Sequence, residues 1–133
     1  MKNMTPRKTS INRSTKETTI SVTVNLDGSG NTSIKTGINF IDHLITSFGK
    51  HGMMDLKVNA KSNDGIEHHL IEDTAITIGQ AIDKALSSRS GITRFSYASV
   101  PMDESLSEAS IDLVKRPFSK LTLLLKRNKT ENV

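Results

Sequence analysis

Between Thr18 and Leu26 the apolar residues alternate strictly with polar ones, Ile20, Val22, Val24 and Leu26 against Ser21, Thr23 and Asn25. A period of two is that of a strand with one buried face. Asp27-Gly28-Ser29-Gly30 reads as a turn, and the short polar stretch Asn31 to Thr36 is expected to return as the second strand of a hairpin. A fainter strand pattern lies upstream at Thr9 to Arg13. After Gly37 the period changes: Ile41, Leu44, Ile45 and Phe48 share one side of a helix expected over about residues 38–49 and stopped by Gly49. Met54, Leu56, Val58 and Ala60 then alternate as a strand, and Asn63-Asp64-Gly65 turns the chain. A second helix is expected over about residues 68–87, its buried stripe formed by Ile71, Ala75, Ile78, Ile82, Ala85 and Leu86.

Beyond Gly91 the pattern returns to strands, at Arg94 to Met102, Ser105 to Val114 and Phe118 to Lys126. The order is β-β-β-α-β-α followed by β-β-β, as a six-element unit begun a second time would give. Residues 1–90 are expected to form one α+β unit, and residues 91–133 the leading strands of another.

Composition narrows the functions open to such a chain. Its 133 residues suit one modest domain. Aromatics are 4% of the residues and tryptophan is absent, so there is little on which to stack single-stranded bases. Cysteine is also absent, which excludes disulfides, thiolate zinc sites and thiol nucleophiles. No apolar run approaches the roughly 18–20 residues of a membrane span, and the N-terminus has no signal-peptide pattern. A soluble, cytoplasmic protein without a membrane partner is expected. The net charge of +4 draws on Lys2, Arg7, Lys8, Lys126, Arg127 and Lys129, a basic surface that suits phosphate or serves solubility alone.

All four histidines, His43, His51, His68 and His69, fall within one short stretch. On a helix starting near His68, Glu72 lies four residues from His68 and three from His69, so each pair shares a face. Imidazole and carboxylate together suit zinc, or manganese where oxygen donors complete the shell. Adjacent helical side chains diverge by about 100°, so His68 and His69 point to two ions, or to one ion and a substrate. Solvated histidines at a helix start are the plain alternative. Asp42 stands next to His43 as a candidate to orient its ring.

The runs Phe40-Ile41-Asp42-His43, His51-Gly52 and His68-His69-Leu70-Ile71-Glu72-Asp73-Thr74-Ala75-Ile76-Thr77-Ile78-Gly79-Gln80-Ala81 resemble the imidazoleglycerol-phosphate dehydratases of histidine biosynthesis. Arg13 to Thr18, Arg94-Phe95, Val100 to Glu104, Asp112-Leu113 and Arg116-Pro117 follow the family order over essentially the whole chain. The resemblance implies an α+β fold, a duplicated unit like the second domain of ribosomal protein S5, with two helices on one face of a mostly antiparallel sheet. It implies 24-subunit homo-oligomers built from trimers, with manganese at subunit contacts. The implied reaction is a lyase step, the loss of water from imidazole glycerol phosphate to give imidazole acetol phosphate.

Carried over residue by residue, the resemblance makes His43, His68, His69 and Glu72 metal ligands shared between two manganese ions. It gives Glu17 a substrate contact and, with Glu72, a catalytic carboxylate. It places His43 and His51 in the substrate region, and Arg94 and Arg116 on the phosphate, which the planar guanidinium fork suits. Asp103 and Glu104 match a family block but fit a turn after Pro101 equally well. The family carries a second HHxxE motif, whereas no histidine follows His69 here. A C-terminally truncated chain is expected, with weak manganese binding and negligible activity alone. Two other readings stay open: a mononuclear zinc hydrolase using His68, Glu72 and His43, and a basic RNA-binding module.

Overall fold

The computed structural model describes residues 6–123, which divide into two compact units on either side of Ser87 and Ser88. The first contains strands β1 (Lys8–Ser14), β2 (Thr18–Asn25) and β3 (Thr32–Lys35), helix α1 (Asn39–His51), strand β4 (Asp55–Ser62) and helix α2 (Glu67–Leu86). The second contains β5 (Phe95–Met102) and β6 (Ser105–Asp112).

In the first unit the strands form one sheet in the order β1-β2-β4-β3. The pairs β1/β2 and β2/β4 are antiparallel, and β3 lies parallel to β4. The expected hairpin between β2 and β3 is therefore absent. The registers give the reason: β2 and β4 oppose Ile20 to Ala60, Val22 to Val58 and Val24 to Leu56, so pairing them buries a continuous apolar ladder. The shorter β3, with Ile34 as its one apolar residue, suits an edge. The loop before it crosses the start of β4, where the Asp55 carboxylate accepts the N–H groups of Ser29 (2.9 Å) and Asn31 (3.1 Å). Those two bonds hold Asp55 below the usual carboxylate range. Gly28 is required there, because a Cβ would stand 2.3 Å from the Asp55 nitrogen.

Ile20, Val22, Val24, Leu56 and Val58 are almost wholly buried, each contributing about 1.5–3 kcal/mol on transfer from water. Both helices pack on this face, α2 across β1, β2 and β4, and α1 across β3 and β4. Helix α1 runs two residues past Gly49, which does not end it. Instead Gly49 is buried, and a Cβ there would lie 2.6 Å from Thr32 Cγ2, so the glycine lets α1 close on β3. The other sheet face is polar, bearing Ser21, Thr23, Lys57, Asn59 and Lys61.

The face that α2 turns inward also differs from the apolar stripe. Leu70, Asp73, Thr74, Thr77, Ile78, Ala81, Ala85 and Leu86 are buried, whereas Ala75 is exposed and Ile71 and Ile82 are half-buried. Polar residues are tolerated because they are answered: the Asp73 carboxylate accepts from Thr18 Oγ1 (2.6 Å) and pairs with Arg13 Nη2 (2.7 Å). Ile71 and Ile82 turn instead toward α1 and, with Ile41, Leu44 and Phe48, line an apolar groove between the helices. Leu44 and Phe48 are half exposed along it.

The second unit is an antiparallel hairpin with Phe95 opposite Asp112 and Met102 opposite Ser105. Asp103 and Glu104 form its tip, Asp103 taking the left-handed conformation (φ 50°) such short turns demand. Every residue of both strands is exposed. The strand expected at Phe118 to Lys126 does not form over residues 118–123, and its remainder lies outside the described residues. Phe118, Leu121 and Leu123 are exposed and have no neighbouring strand to pair with among the described residues.

The burial of Asp73 yields a stability test. Asp73→Ala strands Thr18 Oγ1 and Arg13 and should lower the unfolding free energy by about 2–4 kcal/mol in urea denaturation. Ser21→Ala, on the exposed sheet face, should stay within about 0.5 kcal/mol of the parent.

Candidate active site

The topology brings several chain turns to one end of the first unit. Thr18 pairs with Ser62, so the β1–β2 turn lies beside the β4–α2 turn, and β3, parallel to β4, delivers α1 at the same end. Asn63 joins the two turns: its backbone N–H donates to the Glu17 carbonyl (2.7 Å), and its Nδ2 to the Thr15 carbonyl (3.0 Å) and Thr19 Oγ1 (3.0 Å). This clasp sets Glu17, exposed in the first turn, near the start of α2.

Helix α2 begins at Glu67, one residue earlier than its pattern predicts, so His68 and His69 lie in its first turn and Glu72 in its second. The His68 and His69 rings meet edge to face with centroids 4.3 Å apart. His69 Nδ1 lies 2.7 Å from Asp64 Oδ2. That hydrogen bond raises the His69 pKa, burial opposes it, and the charges of Glu17, Asp64 and Glu72 raise it further. The same bond, helped by the Ile66 N–H, lowers Asp64 to about 2. Glu17, Asp64 and Glu72 thus place three carboxylates in the field of one imidazole.

His43 is exposed on α1, toward the end of that helix nearest the clasp. His51 is the last residue of α1, about 12 Å further along the helix axis, and so at the opposite end of the unit. Asp42 does not orient His43. Its Oδ1 accepts from Thr36 N (2.8 Å) and Thr36 Oγ1 (2.6 Å), closing the segment that leads into α1. In the second unit Arg94 grips Asp112 through two bonds, Nε to Oδ1 (2.6 Å) and Nη2 to Oδ2 (2.9 Å), and lies over the Phe95 ring. Asp112 is held below the usual carboxylate range by Arg94, with the charge of Arg116 adding to it. Arg116 follows β6 and is exposed. Arg7, one of the basic terminal residues, is likewise engaged by Asp27, Nε to Oδ1 at 3.0 Å.

The donor types at the clasp, imidazole nitrogen and carboxylate oxygen, suit zinc, or manganese where oxygen donors complete the shell. Among the described residues, however, no three His, Asp or Glu side chains converge to hold an ion. The unit carries its imidazole and carboxylate donors separately on α1 and α2. The motif reading missed Asn63, Asp64 and Asp73 as parts of this site. Asn63-Asp64-Gly65 signals a turn, yet nothing in it announces that the turn holds both Glu17 and His69.

The Asp64–His69 pair makes stability depend on pH. Asp64 is more acidic folded than unfolded, so its contribution is present above about pH 4 and is lost as pH falls through about 2. His69 has a raised pKa, so its contribution is complete below about pH 6.5 and is lost as pH rises through the folded value. The melting temperatures of the parent and Asp64→Ala should therefore differ most between about pH 4 and 6.5, and modestly, because solvent screens the pair. A gap independent of pH would contradict the pairing.

Comparison with known proteins bears on the family and the fold. A family model described as imidazoleglycerol-phosphate dehydratase matches residues 36–133. Curated relatives of that name include one from Acidiphilium cryptum, 52% identical over 113 residues, and one from Chlorobium luteolum, 51% identical over 115. The matches cover 84% and 86% of this chain, and in each case 58% of the relative, so the chain spans little more than half their length. Among solved structures, the imidazoleglycerol-phosphate dehydratases of Pyrococcus furiosus and Staphylococcus aureus align with TM-scores of 0.76 and 0.75 at 31% and 26% identity. The alignments cover 91% and 92% of this chain, and 64% and 68% of those structures. They support the fold class expected from the motifs, a sheet with two helices on one face as part of a duplicated α+β unit. No helix among the described residues is long and apolar enough to cross a membrane. With the family model matching well over half of its residues, the chain belongs to the imidazoleglycerol-phosphate dehydratase family.

Proposed function

We propose that this chain supplies the first half of the active site of a manganese-dependent imidazoleglycerol-phosphate dehydratase. The reaction removes hydroxide from the carbon bearing the imidazole and a proton from its neighbour, and the resulting enol tautomerises, converting imidazole glycerol phosphate to imidazole acetol phosphate for histidine synthesis. The supporting observation is the clasp that gathers Glu17, Asp64, His69 and Glu72 at one end of the sheet. That end holds both of the carboxylates assigned to catalysis and two adjacent imidazoles.

In this reading His43, His68, His69 and Glu72 are metal donors. A bound ion would act as a Lewis acid toward the substrate ring and its oxygens. Glu17 hydrogen-bonds the glycerol hydroxyls from its exposed turn, and Glu17 or Glu72 takes the proton, both being carboxylates close to the same site. His51, at the far end of α1, contacts substrate held by another subunit of a homo-oligomer. Arg116 offers its guanidinium to the phosphate, and Arg94 does so on exchanging Asp112 for it, phosphate being an equally suitable bidentate acceptor.

Half a coordination set gives weak binding and little catalysis. The 133-residue chain should bind manganese weakly and show negligible dehydratase turnover, whereas a version extended through a second HHxxE motif should be active. Full activity in the short chain would overturn this division of the site. In the extended enzyme Glu72→Gln should reduce kcat by about 100-fold or more, as loss of a metal donor or of a general base does.

A further inference from the structure

We propose that Asp64 is the positioning residue of His69, fixing the neutral ring with its proton on Nδ1 so that Nε2 is the nitrogen offered to a cation. The Asp64 carboxylate is set by the turn before it meets the ring. Its Oδ1 accepts from Ile66 N (2.9 Å) and Ser62 Oγ (3.0 Å), and the Ser62 oxygen in turn accepts from Gly65 N (2.9 Å). Gly65 takes a φ of +79°, a conformation glycine adopts without strain. Oδ2 is thereby left for His69 Nδ1, 2.7 Å away.

An ionised carboxylate only accepts hydrogen bonds, so the nitrogen facing it must carry the hydrogen. In a neutral imidazole the other nitrogen is then the bare one. The His68 ring, edge-on at 4.3 Å, packs beside the His69 ring and restricts its reorientation. Glu17 and Glu72 add negative charge around the ring without a hydrogen bond to Nδ1. A ring fixed in one tautomer loses no binding energy to the other when a cation arrives.

Asp64→Asn separates this role from a purely structural one. The asparagine is nearly isosteric, and its amide oxygen continues to accept from Ile66 and Ser62. Its NH2 group then faces Nδ1 as a donor, which reverses the tautomer. The readout is the 15N shift of each ring nitrogen in the metal-free 133-residue chain, followed to alkaline pH until the shifts no longer change with pH, with signals assigned through His69→Gln. The parent should show a protonated Nδ1 and a bare Nε2, and Asp64→Asn the exchange of the two. A bare Nδ1 in the parent, or an unchanged pattern in the variant, would overturn the proposal.

A second arm uses Mn2+ alone, followed by water-proton relaxation, and rests on the ligand role proposed above. Asp64→Asn should weaken binding about 10–100-fold. Equal affinity for parent and variant, while His69→Gln does lose affinity, would overturn the positioning role. Equal affinity for parent and His69→Gln would instead refute the ligand role, and the tautomer result alone would then decide what Asp64 does.

Discussion

The Asp73 carboxylate is the point on which the first unit turns. It sits on the inner face of α2, receives the Thr18 hydroxyl from β2 and pairs with Arg13 from β1. A carboxylate removed from water is costly unless paired and hydrogen-bonded, so the partners fix the rotation of α2 as well as its position. Because Glu72 precedes Asp73 and His69 lies one turn before it, that rotation also decides where the candidate ligands face. Its chemical role is thus indirect: it buries one carboxylate so that its neighbour stays exposed.

Around that anchor the site is built from turns rather than from strand or helix interiors. Asn63 clasps the β1–β2 turn, and Asp64, next in sequence, holds His69. Two consecutive side chains therefore join the sheet end to the helix start. Helix α2 has no side-chain N-cap, and the nearest equivalent is the Asp64 carboxylate on the Ile66 N–H just ahead of it. One acid thus serves the turn and the imidazole together. The second unit follows other physics: among the described residues its strands pair only with each other, both faces are exposed, and Arg94 is engaged by Asp112.

Much of this was legible from residue patterns, and the misses have specific causes. Alternation located β2 and β4, and the 3.6-residue period located both helices within a residue or two at most ends, because local sterics set those periods. The apolar stripe of α2 coincides with its buried face only at Ile78, Ala85 and Leu86. Periodicity sees only hydrophobicity, whereas the buried face includes Asp73, Thr74 and Thr77, of which Asp73 is acceptable there only because Arg13 and Thr18 answer it. Gly49 was read as a helix stop by its type, although here it is a close-packing residue inside the helix. Glu17, His43, His68, His69 and Glu72 could be singled out by chemistry and motif, but Asn63 and Asp64 carried no signal beyond a turn.

The sequence by itself determined the kinds and order of the elements, the absence of thiol chemistry, and the histidine and carboxylate blocks that mark the family. These depend on neighbouring residues and on side-chain type, which are written along the chain. Only the tertiary structure decided that β3 joins β4 rather than β2, that α2 turns Asp73 inward, and that Glu17 meets the start of α2. Each of those rests on partners far apart in sequence, whose pairing becomes favourable only after the apolar ladder of β2 and β4 has closed and excluded water.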